Sequence, residues 1–180
     1  MQLEQALGVA PPDLFNPVGL ADCLSNMATT GCYLHPRDRT SLFQAKAGIP
    51  YSVKLDFSKS NQLYIISLGY DGLDKITGDQ CLEIYERSLD WVAAEYGTLV
   101  NNNRLKAENF EDHVTPGGHR HRIALNPSGD FVGSMERRFS GNRIVSPIVY
   151  YIEGRGEPSC WVDVEFRDDS IEPRPPPIVE

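Results

Sequence analysis

From residue 51 the chain alternates between apolar and polar positions. Tyr51, Val53, Leu55 and Phe57 are interleaved with Ser52, Lys54 and Asp56, the period of a strand with one buried face. Residues 58–61 read as a turn and residues 62–70 as the return strand, which completes a hairpin. Beyond Asp71-Gly72 the period changes. Leu82, Tyr85, Leu89 and Val92 recur at helical spacing, Thr77 and Gln80 have the spacing of a capping box, and Gly97 can terminate a helix. Together they predict a helix over residues 78–96. Its acids Glu83, Glu86, Asp90 and Glu95 are expected on a solvated face.

Residues 98–118 are polar and contain Pro116-Gly117-Gly118, so they read as a long connection, either functional or mobile. Four further strands are expected over residues 119–125, 131–139, 143–152 and 159–167, with turn-forming residues at 126–130, 140–142 and 154–158. Pro147 lacks a backbone donor, which predicts that its strand is an edge or carries a bulge. Prolines and glycines scattered through residues 1–50 predict an irregular wrap with short helical pieces at 2–7 and 19–28. The end, residues 173–180 with Pro175 to Pro177 consecutive, reads as an extended tail.

The order of elements predicts an α+β fold: a hairpin, a long helix and a four-stranded meander, forming a mostly antiparallel sheet packed on the helix after an irregular N-terminal segment. One domain is expected overall, with a wrap at 1–50, a core at 51–170 and a tail at 171–180. Hydrophobic residues make up 41% and charged residues 23%, which excludes a wholly disordered or fibrous chain. The 17 basic and 25 acidic side chains give a net charge of −8, which repels phosphate backbones and argues against nucleic acid as a partner. The longest apolar runs, at 63–68 and 144–152, are far shorter than the roughly 20 residues that span a bilayer. Residues 1–10 lack the basic and apolar segments of a secretory signal. The chain as written is therefore expected in the cytoplasm, the alternative being an exported mature chain whose signal has been removed.

Four cysteines, Cys23, Cys32, Cys81 and Cys160, permit three complete pairings, and Cys23 with Cys32 could close a small loop. A zinc site at Cys23, Cys32 and His35 is disfavoured, because the cysteines are further apart than in common structural zinc sites. A better metal candidate is His113 with His119 and His121. Two histidines one residue apart on a strand point the same way, and a third from the adjoining segment could complete a zinc site with an open position. Glu111 and Asp112 could add an oxygen ligand or orient an imidazole. The plainer reading places these histidines at the rim of the core. No nucleophile elbow, phosphate-binding glycine loop or dinucleotide fingerprint occurs, and the acid pairs Asp163 with Glu165 and Asp168 with Asp169 read as solvent-facing.

The strand faces carry the functional reading. Cys160, Val162, Val164 and Phe166 form the core side of the last strand, opposite Trp161, Asp163, Glu165 and Arg167. His119, His121, Ile123 and Leu125 oppose Arg120, Arg122 and Ala124. Adding Glu136, Arg138, Val149 and Tyr151 gives an outer surface of guanidinium groups, acids and rings, the residue types enriched at energetic centres of protein interfaces. Residues 114–155 contain six arginines and three acids within an acidic chain, an asymmetry that could steer an acidic partner. The expectation is a non-enzymatic protein-binding module that contacts a protein partner, a toxin or an enzyme, through Arg120, Arg122, Arg138, Tyr151 and Trp161. A stand-alone inhibitor such as a toxin-neutralising immunity protein fits that surface best, with no cofactor. The alternatives are a metal-dependent hydrolase using the histidines and an exported solute-binding or envelope-associated domain.

Overall fold

The computed structural model describes residues 32–34, 49, 51–58, 63–70, 75–102, 105, 107–139, 142–153 and 157–171. The short helical pieces, the turn at 59–61, Cys23 with its proposed partnership to Cys32, and the tail at 173–180 lie outside them. Among the described residues the elements run β1 (Cys32–Leu34), β2 (Tyr51–Phe57), β3 (Leu63–Tyr70), α1 (Gly78–Tyr96), β4 (Val100–Asn101), β5 (Asn109–Val114), β6 (Arg120–Leu125), β7 (Phe131–Phe139), β8 (Arg143–Ile152) and β9 (Ser159–Asp168). This is an α+β fold, one helix on an antiparallel sheet. The chain divides into two compact units, one within Met1–Asp71, Ser140–Ile144 and Glu165–Glu180, the other within Gly72–Phe139 and Val145–Val164.

In the first unit β1 pairs with β2 and β2 with β3, both antiparallel, with Tyr51 opposite Tyr70 and Leu55 opposite Ile66. The end of β9 follows β3 in the strand order. Alternation holds in β2, where Tyr51 and Leu55 are buried. In β3 both Ile65 and Ile66 are buried, together with Leu68, so strict alternation is lost there. Asp168 corrects the expectation of a solvent-facing acid. It is buried, and burial disfavours its charge; the Ser170 hydroxyl and backbone N–H and the Arg143 guanidinium overcome that penalty and hold its pKa below the ordinary carboxylate range.

In the second unit the strand order is β9-β8-β7-β6-β5, with β4 on β7. Helix α1 begins and ends where its sequence signals lie. The Thr77 hydroxyl accepts from the Gln80 N–H at 3.3 Å and the Gln80 side chain accepts from the Thr77 N–H at 2.8 Å, so two otherwise orphaned donors are satisfied. Gly97 closes the helix at φ 94°, its N–H donating to the Ala93 carbonyl. Cys81, Tyr85, Ser88, Leu89, Val92 and Ala93 are buried against the sheet, and the Ser88 hydroxyl is satisfied by the Ile84 carbonyl at 2.9 Å. A disulfide joins Cys81 on α1 to Cys160 on β9, a pairing that spacing alone left open.

One expectation for this unit is corrected and another is narrowed. The polar connection at 98–118 contains β4 and the six-residue β5, which lies at the end of the strand order. An edge strand tolerates polar residues on both faces, so it lacks the alternation that marked the others. Strand β8 lies between β9 and β7, so of the two alternatives for Pro147 the edge is excluded, and alternation is lost around it, residues 144–147 being buried in succession.

Candidate functional site

The register of the β5–β6 hairpin sorts its side chains onto two faces. Phe110 stands opposite Ala124, Asp112 opposite Arg122 and Val114 opposite Arg120, while His113 stands opposite His121. His121 and Ile123 are buried beneath α1, so the set containing Asp112 and Arg122 faces outward. Ala124 continues into Val132 on β7. Phe131 stacks on Tyr151 with ring centroids 5.0 Å apart, and a β-carbon at Gly133 would stand 3.1 Å from Val149. These neighbours lie on the helix side, as Tyr85 also borders Gly133.

That geometry corrects the placement of Val149 and Tyr151. Both are buried on the inner face, Tyr151 with 4% exposed, because Phe131 and Gly133 bring them beneath the helix. Their neighbours Tyr150 and Ile152 take the outward positions. Phe110, Val114, Tyr150, Ile152 and Trp161 are between 42% and 58% exposed. Arg120, Arg122 and Arg138 are exposed as well. Arg122 donates to Asp112 at 2.8 Å, which lowers the pKa of that carboxyl, and its guanidinium lies 5.7 Å from the Phe110 ring centroid.

The inner face of the same hairpin carries a second arrangement. Glu86 and Asp90, one turn apart on α1, point at the histidines. Their side chains are 16% and 25% exposed, so these two leave the solvated face on which Glu83 and Glu95 remain. His121 Nε2 donates to Glu86 Oε1 at 2.9 Å, and His113 Nδ1 lies 3.9 Å from the same oxygen. The two imidazoles stack at 5.4 Å, and His113 Nε2 donates to Glu111 at 3.4 Å. Burial holds the His121 pKa below its ordinary value, with Glu86 offsetting only part of the effect. Its Nδ1 is buried with no hydrogen-bond partner. Tyr85 meets its ring edge-on at 5.5 Å; burial, then the charge of Glu86, raise the phenol pKa far above its usual range.

His119 does not join this group. It stands at the turn before β6, 3.8 Å from Asp90, where the Thr115 hydroxyl and the Gly117 N–H also donate to the Asp90 carboxylate. Gly117 is required there, since a β-carbon would collide with that carboxylate, and Gly118 completes the turn at φ 85°. The assembled metal donors are thus Glu86, His113 and His121, whose ligand atoms lie within 4.8 Å of one another. The anticipated set of His113, His119 and His121 is divided by one helical turn. Glu86 carried a sequence signal, because it sits four residues after Leu82 and three before Leu89, at the border of the apolar stripe.

Beside the cluster is a cavity of about 610 Å³. His113, Ile123, Leu125, Phe131 and Tyr151 line it together with Glu111. Among the described residues no helix is long and apolar enough to cross a membrane. No known protein family, curated protein or solved structure matches this chain.

Proposed function

We propose that this chain is a non-enzymatic protein-binding module whose contact surface is the outward face of β5–β9 in the second unit. The observation that carries the reading is the exposure of Phe110, Tyr150, Ile152 and Trp161 at outward positions of neighbouring strands that also present Arg120, Arg122 and Arg138. Large apolar groups exposed together mark interaction surfaces, and rings beside guanidinium groups supply both contact area and direction. A stand-alone inhibitor, acting as an immunity protein does on a toxin, needs only such a face on a stiff scaffold. The Cys81–Cys160 bridge supports the exported alternative for its location, since disulfides persist in oxidising compartments.

The test compares the wild-type chain with Trp161→Ala and Arg122→Ala in capture from the native source, followed by calorimetry on the retained protein. Trp161→Ala is expected to weaken binding by about 1 to 3 kcal/mol without changing the melting temperature, and Arg122→Ala to weaken it in the same direction. A partner bound equally well by both variants would overturn the proposal.

A further inference from the structure

We infer that Glu86, His113 and His121 form a binding site for a divalent first-row transition ion such as zinc, on the face of the β5–β6 hairpin opposite the proposed partner surface. Three donors from three elements meet there: a carboxylate from α1, an imidazole from β5 and an imidazole from β6. Two imidazoles and one carboxylate are a donor set suited to zinc, iron, cobalt or nickel rather than to calcium or magnesium.

The orientation of the rings carries the argument further than residue type. His113 Nε2 lies 3.4 Å from a Glu111 carboxylate oxygen, while Nδ1 on the other side of the ring faces Glu86 Oε1 at 3.9 Å. A carboxylate holding the far nitrogen of a histidine is the usual outer support of a metal-bound imidazole. The Nδ1 edge of the ring and the Glu86 carboxylate thus face one another at 3.9 Å, where a cation could be held by both. For His121 Nε2 to ligate the metal, the proton it shares with Glu86 must move to Nδ1, which is buried without an acceptor, so metal binding has to offset one unpaired N–H. Donors around a tetrahedral zinc at about 2.0 to 2.1 Å lie about 3.3 Å from one another. The separations of 2.9 and 3.9 Å from Glu86 Oε1 bracket that value, and all three ligand atoms lie within 4.8 Å of one another, so side-chain rotations would have to bring them onto one ion.

Three protein donors leave a coordination position open, as in catalytic rather than structural sites. His113 also forms part of the cavity wall, with Ile123, Phe131 and Tyr151. The cavity therefore reaches one of the metal's ligands, between the apolar walls of Ile123, Leu125, Phe131 and Tyr151 and the charged groups of Lys75, Asp79 and Glu153.

The experiment uses the full chain after chelation and exhaustive dialysis. Zinc is titrated by calorimetry and cobalt by its visible absorption, with circular dichroism confirming the fold of every variant. One equivalent of zinc is expected, with a cobalt spectrum of low coordination number. His113→Ala, at a half-buried position that tolerates truncation, should weaken zinc binding by more than tenfold, and Glu111→Gln by about tenfold. His119→Ala should bind as the wild type does. The inference is overturned by absence of saturable binding. It is equally overturned if His119→Ala loses as much affinity as His113→Ala, or if His113→Ala and Glu86→Gln both bind normally.

Discussion

Two residue pairs at consecutive positions of one hairpin have opposite fates. Asp112 with Arg122 and His113 with His121 are adjacent cross-strand pairs of β5 and β6, and each contains a group able to carry charge. The outward pair is well hydrated. Its 2.8 Å contact is screened by solvent and adds little to stability, though it orients the guanidinium over Phe110. The inward pair is set under α1, where desolvation shifts the His121 pKa and Glu86 is drawn out of the solvated helix face to meet it. Side-chain chemistry alone therefore does not decide what these groups do; the face on which the register places them does.

The inner face is fastened to the helix covalently, and breaking that fastening should have the largest effect. The Cys81–Cys160 bridge closes a loop with a sequence separation of 79. Chain-entropy reasoning assigns such a crosslink about 4.5 kcal/mol. Urea unfolding with and without reductant, repeated on the double variant Cys81→Ala and Cys160→Ala, should show a fall of that order in unfolding free energy. An unchanged midpoint would mean that noncovalent packing alone holds the inner face.

The contrast between the faces also explains what could be read in advance. Helix α1 was legible to the residue, because capping box, apolar stripe and terminal glycine are local signals. The strands with a buried face, β2 and β6 to β9, were legible through their alternation. Strand β5 was not, since as an edge strand it has little buried face to alternate. Of the inward histidines, His121 was legible on the face of Ile123 and Leu125, whereas His113, on the unrecognised β5, was assigned only to an adjoining segment, and their partner was not legible. Assigning Glu86 to them requires knowing how α1 is rotated over β5 and β6, which is a tertiary quantity. The same lack of register between β7 and β8 led Tyr151 to be placed outside and Tyr150 overlooked.

Removing one charge from each face sharpens the comparison at intermediate size. Glu86→Ala strips His121 of the acceptor at 2.9 Å and leaves a second polar nitrogen of that ring buried and unpaired. The expected loss is about 1 to 3 kcal/mol, measured by chemical denaturation of metal-free protein. Asp112→Ala removes an acceptor at a similar distance on the outer face and should leave the unfolding midpoint unchanged. Equal losses from the two variants would dissolve the distinction between the faces.

The smallest effect is a dependence of stability on pH. Glu86 and Asp90 on α1 and His113 on β5 surround His121, and their influences do not restore the proton affinity that burial removes. The folded imidazole therefore binds a proton less readily than the unfolded one, which titrates near about 6.5. Between its depressed folded pKa and that value the unfolded chain holds more protons, so stability rises with pH there and levels off above it. Acidification from about pH 7 should lower the unfolding free energy before the ordinary carboxylates, at about pH 4, begin to titrate. Replacing the ring by one that cannot titrate, His121→Phe, should flatten that part of the profile whatever it does to absolute stability. A slope that survives the replacement would place the titrating group elsewhere and remove desolvation of His121 from the contrast between the two faces.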